Sequence, residues 1–237
     1  KVARLHERRG HPGRTRMLRI ARMMRQDDPD RPTLAAIRAF RCPTCAISKA
    51  TRPSDTAAHP RRDQHDGDIT PGELVHADFA PAPFEVPQLD GSTTFLCLRD
   101  DASNVTTYVP VTDKSAKTTI VTLEKYLAKS RPLDPRIRGD QEFTAEALQR
   151  WAASQSPRID LQGTPPHEHQ ANGRAENAVS LGKSAARVMR ETAGAGKEYL
   201  CSALSYAGIQ AAFNPTAADP SGANRAPADM WPDFPWR

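Results

Sequence analysis

The first fifty residues hold few apolar side chains for a core of their own, yet they carry two close pairs of metal-ligating residues, and no other feature constrains the fold as tightly. His6 and His11 are separated by four residues, and Cys42 and Cys45 by two. Imidazole nitrogen and thiolate sulfur together suit Zn²⁺, which accepts both in a tetrahedron without preference from its d electrons. A C-x2-C loop lets both thiolates bind one ion, and the two histidines can do the same from a turn or short helix. Four protein ligands leave no open position, so the expected site is structural and supplies folding free energy on the order of 10 kcal/mol in modules of this size. Cys97 and Cys201 each sit alone in an apolar stretch and read as buried thiols. Four cysteines so placed do not make a disulfide scaffold, which suits a reducing, intracellular setting, nuclear or cytoplasmic. His59, His65, His76, His167 and His169 lack comparable neighbours and read as surface or loop histidines.

Charge divides the chain. Residues 1–62 hold 16 Lys and Arg against 5 Asp and Glu, a net +11, whereas the remainder holds 17 against 23, a net −6, which together give the overall +5. A basic module of this density predicts a polyanionic partner, nucleic acid, because each cation that neutralises a phosphate releases a condensed counterion. No apolar run is long enough to span a bilayer and the sequence does not open on a basic-then-apolar segment, so neither a membrane protein nor a signal-led secreted one is expected. The first residue is Lys1 rather than Met, which suggests a piece of a longer precursor.

From Leu18 to Phe40 apolar residues recur at helical spacing around an Asp-Asp-Pro-Asp interruption, predicting short helices joined by a turn. Residues 53–71 are polar and broken by prolines, a linker. Beyond it, Leu74–Phe79, Thr93–Arg99 and Val105–Val111 read as three consecutive strands, antiparallel because their connections are short. Helix is expected over Ser115–Ser130, strand over Arg136–Gly139, helix over Ala145–Ser154, strand over Arg158–Leu161 and a long helix over Asn172–Thr192. The expected fold is therefore α/β, a mixed sheet flanked by helices, preceded by a small helical zinc-binding module.

Three acids stand where these elements meet. Asp78 is expected to end the first strand and Asp140 the fourth, and Glu176 lies in the first turns of the long helix. If they open onto one edge of the sheet, their mutual repulsion calls for a cation, and hard oxygen ligands suit Mg²⁺ or Mn²⁺. Two such ions would polarise the attacking and leaving oxygens of a phosphodiester. No Tyr or Ser stands in a nucleophile setting, so water or a DNA 3′-hydroxyl would attack.

Counting along the helix from Glu176 gives Ser180, Lys183, Arg187 and Arg190 on one face, a basic stripe suited to a phosphate backbone or else simply solvated. The other face is small and apolar: Ala175, Ala178, Val179, Gly182, Ala185, Ala186 and Met189. The segment from Gln162 to Gly173, with two prolines and two glycines, is expected to be a loop able to close over a substrate.

In these residues the sequence resembles a retroelement integrase of the copia type. Leu-His-Glu-Arg-Arg-Gly-His-Pro and Cys-Pro-Thr-Cys-Ala-Ile-Ser-Lys look like the two ends of that family's zinc module. Gly-Glu-Leu-Val-His-Ala-Asp-Phe, Arg-Gly-Asp-Gln-Glu-Phe and Gln-Ala-Asn-Gly-Arg-Ala-Glu-Asn resemble the segments with its three catalytic acids, and Ala-Pro-Ala-Asp-Met-Trp the stretch after the core. The resemblance implies a ribonuclease-H-like core in which Asp78, Asp140 and Glu176 form a D,D-35-E triad, Asp78 bridging two metals and the other two holding one each. It implies end-trimming and strand transfer, with element-end DNA and target DNA as partners and a homo-multimer as the working form. The implied division is 1–52 zinc-binding module, 53–71 linker, 72–214 catalytic core and 215–237 its extension. The chain departs from the family in the turn after Asp140, which lacks a Gly-containing pair, in Asn177 after the Glu, and in stopping at Arg237. These departures suit an alternative, a decayed or domesticated remnant that binds nucleic acid without catalysis. A bacterial-type transposase with the same triad fits the spacing of the zinc pairs less well.

Overall fold

A computed structural model describes residues 1–48, 69–82, 86–130, 134–164, 173–214 and 226–231. Most of the expected linker, most of the expected closing loop, His59, His65, His167, His169 and most of the C-terminal extension lie outside them.

The sheet forms where the sequence turns β-branched and aromatic. Strands β1 (Leu74–Pro81), β2 (Thr94–Asp100) and β3 (Thr106–Val111) pair antiparallel in sequence order. The chain then crosses the sheet through α5 (Ala116–Ser130) to β4 (Arg136–Gly139), parallel to β1, and through α6 (Glu146–Ser154) to β5 (Asp160–Gly163), parallel to β4. The sheet order is β3-β2-β1-β4-β5, mixed as expected. Alternation along the strands divides its side chains between two faces. Val75, Ala77, Leu96, Leu98 and Ile137 meet α5 and α6 on one side, with Phe143 and Leu148 completing that core. Ala80, Phe95, Cys97 and Tyr108 meet α7 (Gly173–Thr192) and α8 (Leu200–Phe213) on the other.

Helix α7 lies close to the sheet because it turns small residues inward: Ala175, Ala178, Gly182 and Ala186 are buried. A Cβ on Gly182 would stand 2.4 Å from the Tyr108 ring, whose hydroxyl donates to the Ala178 carbonyl at 2.6 Å. Helix α8 covers the open edge of β3, where Ser205 Oγ donates to the Tyr108 carbonyl at 3.0 Å. An edge strand so covered is closed to further pairing there. Trp231, after a 3-10 turn over Pro227–Met230, is buried and donates to Ser103 Oγ at 2.8 Å.

Residues 1–48 form four short helices, α1 (Val2–Arg8), α2 (Arg14–Met23), α3 (Leu34–Ala39) and α4 (Pro43–Ser48). Thr33 caps α3 by accepting the Ala36 N–H at 3.2 Å. Their apolar core is small, consisting of Leu5, Met17, Ile20, Ala21 and Ile37. No helix among the described residues is long and apolar enough to cross a membrane.

Three expectations change. β1 runs on to Pro81, which pairs with Thr94, so Asp78 lies within the strand and does not end it. β5 is displaced two residues toward the C-terminus, because its parallel pairing with β4 sets Asp160 opposite Arg136. His76 is a strand residue only 3% exposed, not a surface histidine, because alternation turns it to the same covered face as Asp78 and Ala80. Cys97 and Cys201 are buried thiols, as expected.

Replacing Gly182 by Val should force α7 off Tyr108 and destabilise the fold by about 1–3 kcal/mol, read as a lower urea midpoint with unchanged slope.

Candidate metal centres and basic cleft

The two ligand pairs converge. His6 lies in α1's last turn, while Gly10 (φ 70) and His11 (φ 56) take the left-handed conformation that reverses the chain, with His11 N–H bonding to the His6 carbonyl at 2.8 Å. Cys42 and Cys45 flank the start of α4, where the Cys45 N–H points at Cys42 Sγ at 3.5 Å. His6 Nε2 is 3.3 Å from Cys45 Sγ, and His11 Nδ1 is 3.6 Å from both sulfurs. All four ligand atoms lie within 4.8 Å of one another. Metal–sulfur bonds of about 2.3 Å and metal–nitrogen bonds of about 2.0 Å make tetrahedron edges of roughly 3.5 Å, so the three sulfur–nitrogen separations of 3.3–3.6 Å suit zinc, and the remaining ligand atoms, all within 4.8 Å, need only a small inward shift.

The three acids are brought to one side of the sheet by a different route. The β1–β4 register pairs Leu74 with Arg136 and His76 with Arg138, and its continuation sets Asp140 beside Asp78 just where β4 stops. A tight 3-10 turn, Gln141–Thr144, follows Asp140 and drives Phe143 into the core. Gly139 makes room for it, since a Cβ there would stand 2.4 Å from that ring. Asp140 is exposed and accepts from Thr164 Oγ1 at 3.2 Å. Glu176 is exposed in the first turn of α7. Asp78 is half-buried, and its carboxyl is pushed up to about 6, by burial first and then by the negative charges of Asp140 and Glu176, with Lys114 opposing. Lys114 bridges to Glu142 at 2.9 Å in the turn after Asp140. The acids therefore act on one another through space.

The basic stripe of α7 is not uniformly solvated. Lys183, Arg187 and Arg190 line a cleft of about 460 Å³ together with Lys197, Pro81, Ala82 and Leu200. The Lys183 ammonium stands 5.7 Å from the centre of the Phe95 ring, and burial lowers its pKa while Asp78 pulls it up. The Arg190 side chain is only 14% exposed, and its buried Nε has no hydrogen-bond partner among the described residues. A larger cleft of about 710 Å³, between β3, α5 and α8, contains none of the three acids.

Sequence reasoning missed a buried group beside the acids. Arg174, two residues before Glu176, forms an ion pair with Asp101, and His76 Nε2 lies 3.1 Å from the same carboxylate. Arg99 adds a bond from its guanidinium to the Arg174 carbonyl at 3.2 Å. Burial and then the charges of Arg174, Arg138 and Arg99 hold His76 down to about 4, so it is neutral near pH 7. This group ties the first turn of α7 to the sheet. The signal available was the spacing of His76 and Asp78, which puts both on one face of a strand. Lys197 was missed too, since it follows the end of α7 and joins the cleft only through the fold.

Neither a protein-family model nor a curated protein matches this sequence. Among solved structures, the chain is similar to the HTLV-2 integrase catalytic core domain in complex with magnesium, in a trimeric form, with 14% identity and a TM-score of 0.50 over 66% of this chain and 95% of that one. It is also similar to the catalytic core domain of BIV integrase, with 15% identity and a TM-score of 0.48 over 68% of this chain and 93% of that one. The HTLV-2 likeness identifies the fold: the five-stranded mixed sheet with its flanking helices is the ribonuclease-H-like fold of an integrase catalytic core.

The Asp78 carboxyl yields a pH prediction. Its folded-state pKa lies above an unfolded value of about 3.9, so the native state binds the extra proton and Asp78 costs stability as pH rises from about 4 through about 6. Without metal, Asp78→Asn should be more stable than the parent at pH 7, by on the order of 1 kcal/mol after solvent screening. The two should converge near pH 4 in thermal melts, and millimolar Mg²⁺ should stabilise the parent alone.

Proposed function

We propose that this chain is a retroelement integrase, of the copia type its motifs resemble, that trims the ends of a DNA copy of its element and joins the 3′-hydroxyls to target DNA. In this reading residues 1–52 are the zinc-binding module, 53–71 the linker, 72–214 the catalytic core and 215–237 its extension. The observation that carries it is the Asp78 carboxyl, loaded by Asp140 and Glu176 on the α7 side of an integrase-type sheet. Such acids suit a pair of Mg²⁺ or Mn²⁺ ions, which would supply charge stabilisation to the attacking and leaving oxygens of a phosphodiester. Asp78, Asp140 and Glu176 would hold these ions, and His6, His11, Cys42 and Cys45 would hold a structural Zn²⁺. Lys183, Arg187 and Arg190, with Lys197, bind the phosphate backbone of the element-end DNA. Joining two ends in concert calls for two active sites, hence a homo-multimer.

Strand transfer with Mn²⁺ and a duplex carrying element ends tests the reading. Glu176→Gln should lower the rate at least 100-fold, in line with the loss of a transition-state charge contact. Transfer that survives the substitution within a few-fold would remove the triad.

The cleft is tested through ionic strength. Lys183→Glu should weaken DNA binding and reduce the log–log salt slope by about 1, and adding Arg187→Glu by about 1 more. An unchanged slope would mean that the stripe faces solvent in the complex.

The tight turn after Asp140 favours a second reading, a remnant that binds nucleic acid without catalysis. DNA binding with no transfer at any Mn²⁺ concentration would select it.

A further inference from the structure

The zinc ligands reach the helix that carries Glu176. With His11 Nδ1 turned to the two thiols, the other ring nitrogen, Nε2, lies 2.9 Å from Thr192 Oγ1, the last residue of α7. An imidazole that binds metal through one nitrogen keeps an N–H on the other, and a partner for that N–H orients the ring; losing such a partner typically costs 10–100-fold in metal affinity. The hydroxyl of a residue 181 positions away therefore sits where an outer partner of His11 belongs.

Other contacts join the same surfaces. Arg187, a cleft residue, donates to the Ser48 carbonyl at 3.5 Å, three residues beyond Cys45. Asn214, just beyond α8, donates to the Arg9 carbonyl at 2.9 Å. Gly10 lies so near α7 that a Cβ on it would stand 2.4 Å from Met189 Cε. Arg9 and Gly10 lie between the two histidine ligands, and Ser48 follows the cysteines, so the segments that clasp α7 and α8 are those that the ligands hold in shape.

We propose that Thr192 is the positioning residue of zinc ligand His11, and that zinc binding and the docking of the catalytic helix are thereby linked. The proposal rests on the reading of the His/Cys group as a zinc site. Zinc stabilises the surface that grips the C-terminal half of α7 and orients Arg187 at the cleft. By reciprocity, a docked α7 holds zinc more tightly.

The test uses the full chain, its Thr192→Val and Thr192→Ser variants, and two readouts independent of DNA joining. Competition with a chromophoric chelator measures zinc affinity. Hydrogen exchange, with zinc and after its removal, measures protection in α7. Thr192→Val should bind zinc at least 10-fold more weakly, whereas Thr192→Ser, which keeps the hydroxyl, should stay within about 3-fold. Removing zinc should raise exchange in the last two turns of α7 and at the end of α8, with β1 and β2 unchanged. Equal zinc affinity in all three chains, or α7 exchange indifferent to zinc, would overturn the linkage while leaving the zinc site intact. A reduced, folded parent chain that takes up no zinc would overturn both.

Discussion

Helix α7 can rest directly on the sheet only because it turns its smallest side chains inward, and most of the functional surface depends on that approach. Gly182 over the Tyr108 ring sets the distance, and the Tyr108 hydroxyl bond to Ala178 sets the rotation. Once the helix is so placed, Glu176 falls near enough to Asp78 to raise its pKa, and Lys183 reaches the Phe95 ring. Arg187 and Arg190 then line the cleft, and Thr192 reaches His11. One helix thus brings together acids, cations and the N-terminal helices.

The electrostatics around β1 are costly for the chain alone. Asp78 is ionised in a half-buried position against two other carboxylates, an arrangement that opposes folding unless cations compensate it. Lys114 and Lys183 are the local cations, and neither forms a close pair with Asp78. In the Arg174–Asp101 pair the carboxylate is buried and bears a desolvation penalty while the guanidinium is 34% exposed, so the pair's main effect is positional. It holds the start of α7 against β1 and β2, two residues from Glu176.

The N-terminal helices have a different problem. Five buried apolar side chains make a small core for 48 residues, and a metal ion held by the four ligands would compensate with directional bonds. Their docking on α7 and α8 rests on contacts near those ligands, so one ion would influence both the inside of the cluster and its outer face.

Much of this was legible in the chain. The ligand pairs could be read because spacing and donor chemistry are local, and the three strands and long helix because periodicities of 2 and 3.6 survive in a single sequence. Asp78, Asp140 and Glu176 could be named as candidates from their positions beside those elements. The burial of His76 could not, because its partner Asp101 comes from the turn after the next strand and Arg174 from a distant helix. Nor could the length of β1, which ends where its pairing with β2 ends. Residue order alone settles which side chains carry metal-binding, acidic or basic chemistry and in what order their elements follow. Which of them interact is set by the folded arrangement, because charge, burial and hydrogen bonding act across space between segments that the chain order keeps apart.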